Sequence, residues 1–156
     1  AGPESLHRRD LKGDRRMKVC PKCGAIWDGD RWVPEPEEAL LREFSKKEHV
    51  RELCPGDLRI EKRQVEGVVT LKGKFLAAHK EEINNLVGRV AREGRRRNVA
   101  ARILETTEEN GSLIIETTDE HLAERMGKEV EKAFKGALEI KWQKKDTFAR
   151  VTWQRD

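Results

Sequence analysis

Tyrosine is absent from this 156-residue chain, and only four phenylalanines and four tryptophans are present. With so few aromatic side chains, Trp27, Trp32, Trp142 and Trp153 are expected first as core, and only then as surfaces on which bases stack. Also missing is the run of aromatics on a central strand that marks one common class of RNA-reading sheet. No stretch approaches the ~20 apolar residues that span a bilayer, so no membrane partner is expected. No short apolar segment follows the basic N-terminal residues, so no secretory signal is expected and a cytoplasmic location is. There is no glycine-rich phosphate loop, and no Ser or Cys nucleophile pairs with a histidine in a known local pattern. Neither an enzyme nor a small-molecule site is therefore expected. Three cysteines are an odd number, and Cys20 and Cys23 stand too close for an ordinary disulfide framework. Metal ligation in a reducing compartment fits better.

Charge is plentiful. Charged residues make up 40% of the chain against 36% apolar, and the formal net charge is only +4. An excess that small does not identify a partner; its distribution decides. Residues 1–18 carry Arg8, Arg9, Lys12, Arg15, Arg16 and Lys18 with no apolar period, which reads as a flexible basic arm or a solvated tail. A second concentration is Arg89, Arg92, Arg95, Arg96 and Arg97. Arginines suit a helix C-terminus without any partner. Five within nine residues, offset by Glu93 alone, exceed that need and read as a phosphate-binding patch, the alternative being a solvated face.

The most specific signal is Cys20-Pro21-Lys22-Cys23-Gly24, answered by Cys54-Pro55-Gly56-Asp57. A C-x-x-C turn with Pro after the first thiol and Gly after the second points both sulfurs at one ion. Zinc takes four ligands in a tetrahedron, and Cys20, Cys23 and Cys54 supply three. Asp57 stands where a fourth Cys is usual. His49 is the rival, and with neither bound, water takes the position. Three thiolates leave the ion little Lewis acidity, so a structural zinc is expected; the alternative is a relic whose loops are held by packing alone.

The pattern divides the chain into the arm, a zinc-ribbon-like module over 19–66 and an α+β unit over 67–156. In the module, Pro34-Glu35-Pro36 punctuates, and Ala39, Leu40, Phe44, Val50 and Leu53 predict a helical insertion over 37–53. The second unit begins with a strand at Val68–Leu71. A helix follows from Phe75 to about Ala91, with Leu76, His79, Ile83, Leu86, Val87 and Val90 on one face. Next come a strand at Val99–Thr106, an Asn110-Gly111 hairpin turn and a strand at Ser112–Thr117. Thr117 with Glu120 forms a capping box for the following helix, whose stripe is Leu122, Met126, Val130, Ala133 and Phe134. Leu138, Ile140 and Trp142 alternate with polar residues, and a last strand runs from Thr147 to Trp153, with Trp153 near the surface. The order β-α-β-β-α-β(-β) is ferredoxin-like, with an open sheet face of the kind RNA-binding modules use.

These phrases together resemble a small prokaryotic zinc-ribbon family described as NMD proteins affecting ribosome stability and mRNA decay. That family is related to the zinc-bearing N-terminal part of the archaeal and eukaryotic large-subunit export adaptor. The resemblance rests on Cys20–Ala25, Gly29-Asp30-Arg31-Trp32, Cys54-Pro55, Val69–Leu76, Glu116–Ala123 and Arg150-Val151-Thr152-Trp153, and it covers roughly residues 17–155. It implies paired zinc knuckles and association with the ribosome or other structured RNA. Asp57, in place of the family's fourth Cys, is the departure. A protein–protein adaptor using the zinc module is the alternative function, and a nuclease or other hydrolase using His79 or His121 a further one.

Overall fold

The computed structural model of the protein describes residues 16–156, so Arg8, Arg9, Arg15 and most of the basic arm lie outside the described residues. The chain forms two compact units, one ending at Cys54 and the other running from Pro55 to Asp156.

In the first unit, β1 (Met17–Val19), β2 (Ile26–Trp27) and β3 (Trp32–Val33) form a meander. Helix α1 (Glu38–Lys46) crosses over to β4 (His49–Arg51), which pairs parallel with β1. The sheet order is β3-β2-β1-β4. Each turn has a local cause. Gly24 and Gly29 take positive φ, at 80° and 104°, and the Asp28 carboxylate accepts from the amides of Asp30 and Arg31 at 2.8 and 2.9 Å in an Asx turn. Met17, Ala25 and Ile26 are buried, and the Trp27 and Trp32 rings meet at 6.0 Å. The helix expected over 37–53 ends early, at Lys46. Its apolar stripe lapses in Lys46-Lys47-Glu48-His49, and no α1 residue is buried. With no stripe left to bury, the backbone from His49 gains more by pairing with β1 than by continuing the helix.

The second unit opens with α2 (Pro55–Glu61). It is tied to its own unit: Arg59 donates to the Thr118 carbonyl at 2.9 Å, and Gly56 lies against the Val99 carbonyl and the Arg102 side chain. Then come β5 (Gly67–Lys72), α3 (Lys74–Ala78), α4 (Lys80–Arg97), β6 (Ile103–Glu109) and β7 (Ser112–Thr117). They are followed by α5 (Glu120–Phe134), β8 (Ala137–Gln143) and β9 (Phe148–Gln154). Val69, Leu71, Ile115, Val151 and Trp153 from the sheet pack with Ile83, Val87 and Val90 of α4 and Leu122, Met126 and Val130 of α5.

The fold is α+β with a ferredoxin-like unit, and its sheet order is β6-β7-β5-β9-β8. The additional strand is not appended at the edge. β9 lies between β5 and β8, parallel to β5 and antiparallel to β8. This placement buries Trp153 completely, in contrast to the surface position expected of it. Its indole Nε1 donates to the Lys135 carbonyl. The helix predicted from Phe75 breaks at His79 (φ −126°, ψ 29°), where the imidazole stacks on Phe75 and meets Glu82 at 3.0 Å. The predicted Thr117 cap is replaced by Asp119, whose carboxylate accepts from the Leu122 amide at 3.0 Å. Thr117, fully buried, instead donates to the Asp119 carbonyl at 2.7 Å. The Asn110-Gly111 turn has φ of 52° and 79°, the pair of positive values that a type I′ hairpin requires. No helix among the described residues is long and apolar enough to cross a membrane.

Candidate metal centre

Strand pairing brings the thiols together. Cys20 directly follows β1. The turn after it is closed by the Cys20 amide donating to the Ala25 carbonyl at 2.9 Å and the Gly24 amide to the Cys20 carbonyl at 3.0 Å. Val19 pairs with Arg51, and the Glu52 amide donates to the Val19 carbonyl at 3.1 Å, so the chain leaving β4 runs back beside the knuckle. Cys54 arrives there fully buried, Cys20 is 1% exposed and Cys23 is half-buried.

The Sγ atoms of Cys23 and Cys54 are 3.6 Å apart. In a tetrahedron with metal–sulfur bonds of ~2.3 Å, the sulfur–sulfur edge is about 3.8 Å. The thiols are therefore spaced for a shared ion and much too far apart for a disulfide, whose sulfurs stand ~2.05 Å apart. Asp57 follows Cys54 by three residues, in the first turn of α2. One ligand atom from each of Cys20, Cys23, Cys54 and Asp57 lies within 4.8 Å of the others. His49 does not belong to this group: its ring sits on Phe44 at 3.9 Å and its Nδ1 lies 3.0 Å from the Lys47 carbonyl. Three soft thiol donors and one carboxylate make a set that could hold a borderline metal ion and would leave no open position at a four-coordinate centre.

The Asp57 carboxylate has a second neighbour that no local pattern announced. Arg102 places Nη1 3.4 Å from Asp57 Oδ2, with side-chain exposures of 21% and 11%. Arg102 lies far along the chain, and a lone arginine between Ala101 and Ile103 gives no sequence signal.

The arginine run divides by orientation. Arg89, Arg92, Arg96 and Arg97 are exposed, and Arg89 meets Glu93 at 3.3 Å. Arg95 turns inward, with buried Nε and Nη2 that have no hydrogen-bond partner among the described residues. Arg97, Asn98, His121 and Arg125 line a surface pocket of ≈ 130 Å³ between the end of α4 and the start of α5. Arg125 was not singled out in the sequence, because only the packing of the two helices brings it beside Arg97. Arg16 is exposed and lies 3.9 Å from Glu48. His79 and His121 belong to separate sites: His121 is exposed, beside Glu120 and Glu124 and 5.9 Å from the Trp142 ring.

No protein-family model, curated protein or solved structure matches the chain.

Proposed function

We propose that this chain is a non-enzymatic zinc-binding protein that associates with structured RNA, of the ribosome or another source, through the arginine-rich end of α4. Zinc is the ion of choice for a closed set of three thiolates and one carboxylate, and its role is structural. The observation that carries the RNA reading is the concentration of exposed Arg89, Arg92, Arg96 and Arg97 on one helix end, continued across the pocket by Arg125. Guanidinium groups stay charged and pair with phosphate through parallel hydrogen bonds. The resemblance to the ribosome-associated family leads to the same partner class. The sheet supports it less: Phe148 is the aromatic side chain on the face opposite the helices, and it is 7% exposed.

The test is a salt titration of binding to a fluorescent RNA hairpin, with Arg92, Arg96 and Arg97 changed to Glu in parallel. Each phosphate contact contributes roughly 0.7–0.9 to the slope of log K against log salt. The triple variant is expected to flatten the slope by two to three contacts, about one per arginine, and to weaken binding at low salt at least tenfold. Equal affinity and equal slope in parent and variant would overturn the RNA reading and favour an acidic protein partner.

A further inference from the structure

We infer that Arg102 is a positioning residue for the metal centre: it holds the Asp57 carboxylate where the ion needs it, in a seat built by Gly56 and Thr118. The inference rests on the reading of Cys20, Cys23, Cys54 and Asp57 as a metal site.

Three observations converge on it. First, the contact is only half closed. An arginine with one carboxylate to satisfy commonly closes on it with two parallel hydrogen bonds. Here Nη1 stands 3.4 Å from Oδ2, buried and without a hydrogen-bond partner among the described residues, while the carboxylate remains among the thiols. Second, the guanidinium reaches Asp57 by passing over Gly56. A Cβ at position 56 would lie 2.8 Å from Arg102 Cγ, 3.2 Å from Nη1 and 2.3 Å from the Val99 carbonyl oxygen. The glycine of Cys54-Pro55-Gly56-Asp57 therefore admits the arginine. Third, one buried residue fixes both partners. Thr118 Oγ1 accepts from the Arg102 amide at 2.9 Å, and the Thr118 amide donates to the Arg102 carbonyl at 2.9 Å. Its own carbonyl takes Arg59 of α2, the helix that carries Asp57. Arg102 and the helix that carries Asp57 are tied to the same threonine.

Geometry gives the direction of the effect. Without Arg102 the Asp57 carboxylate loses the group that holds it beside the thiols, and metal uptake weakens. Partners of metal ligands of this kind change affinity roughly 10–100-fold when removed.

The experiment titrates the full chain with Co²⁺ and with Zn²⁺ against a chromophoric chelator, for the parent, Arg102→Met, Arg102→Lys, Asp57→Asn and the Arg102→Met/Asp57→Asn double variant. Circular dichroism confirms that each is folded. Arg102→Met is expected to bind roughly 10–100-fold more weakly, and Arg102→Lys to recover part of the loss. The double variant should bind no more weakly than Asp57→Asn alone. Bound Co²⁺ in Arg102→Met should keep its thiolate charge-transfer bands and take on the visible d–d spectrum of Asp57→Asn. In an Asp57→Cys background, where a thiolate replaces the carboxylate, Arg102→Met should have little effect. Affinity within about twofold of the parent in Arg102→Met, or losses that multiply in the double variant, overturns the inference while the metal site stands. A parent that takes up no ion overturns the metal reading, and this inference with it.

Discussion

Two glycine-to-alanine changes should move stability in opposite directions. At Gly56 the new methyl would lie 2.3 Å from the Val99 carbonyl oxygen and 2.8 Å from Arg102 Cγ. The first of these is backbone, in a segment clamped to Thr118 by four hydrogen bonds through Ala100 and Arg102, so it cannot swing aside. Overpacking of this sort costs about 1–3 kcal/mol and occasionally more, and a rigid carbonyl puts it at the upper end, about 3. Alanine's better helix propensity returns up to about 1 kcal/mol, less at a first turn. The net loss is about 2 kcal/mol. At Gly88, in the middle of α4, the nearest atom to a new methyl is the mobile Arg92 Nη1 at 3.5 Å. There the propensity term acts alone, a gain of about 0.5–1 kcal/mol. For a unit of this size, 1 kcal/mol shifts the melting temperature by roughly 4–8 °C. Thermal unfolding followed by far-ultraviolet circular dichroism should therefore place Gly56→Ala about 8–16 °C below the parent and Gly88→Ala a few degrees above it. Shifts of the same sign, or a Gly56→Ala within 2 °C of the parent, would refute the claim that the backbone at Gly56 is pressed against 99–102.

Chain purified without chelator should carry one zinc, and Cys54→Ser or excess chelator should remove it. Hydrogen exchange at the β1 and β4 amides should accelerate on removal; unchanged protection would mean that packing alone holds the knuckles. Lowering the pH should release the ion, because protons compete for thiolates, and metal analysis after acid dialysis would check it. Asp119→Ala should cost about 1 kcal/mol as a lost N-cap, measured by urea denaturation. Trp153→Phe should cost about 1–3 kcal/mol, since it deprives the Lys135 carbonyl of its donor in a part-buried bond. A loss under 0.5 kcal/mol in either would contradict the hydrogen bond assigned to it.

What was legible in the chain was what is local. The Leu122, Met126 and Val130 stripe, the Asn110-Gly111 hairpin and the alternation of Leu138, Ile140 and Trp142 all lie where the residues themselves dictate, whereas Ala133, expected in the same stripe, is exposed. So do Cys20, Cys23, Cys54 and Asp57, because two short turns and one strand pair assemble them. The early end of α1 was not legible, since Val50 fits a helical stripe as well as a strand and only β1 decides between them. Nor was the place of β9. Both strands of the last hairpin alternate, and either can lie inside. The distinction was present in a weak form: β8 sets Glu139 and Lys141 outward, as edge strands do, whereas β9 carries Ala149, Val151 and Trp153, all buried. Thr118 reads as part of a cap, and its bonds to Ala100, Arg102 and Arg59 exist only once the sheet has formed.

The seat of β9 between β5 and β8 also orders events in time. β5 is the first strand of its unit to leave the ribosome, and along one side its partner is the last, residue by residue from Gly67 with Ala149 to Lys72 with Gln154. Until 148–154 have been synthesised, that edge stands bare, with Val69 and Leu71 uncovered by Val151 and Trp153. Closing it spans nearly the whole unit, the kind of non-local pairing that slows folding. A nascent chain is thus exposed along the very centre of its future sheet, and a truncation that removes the final strand takes away an interior strand and cuts β8 off from the rest of the sheet.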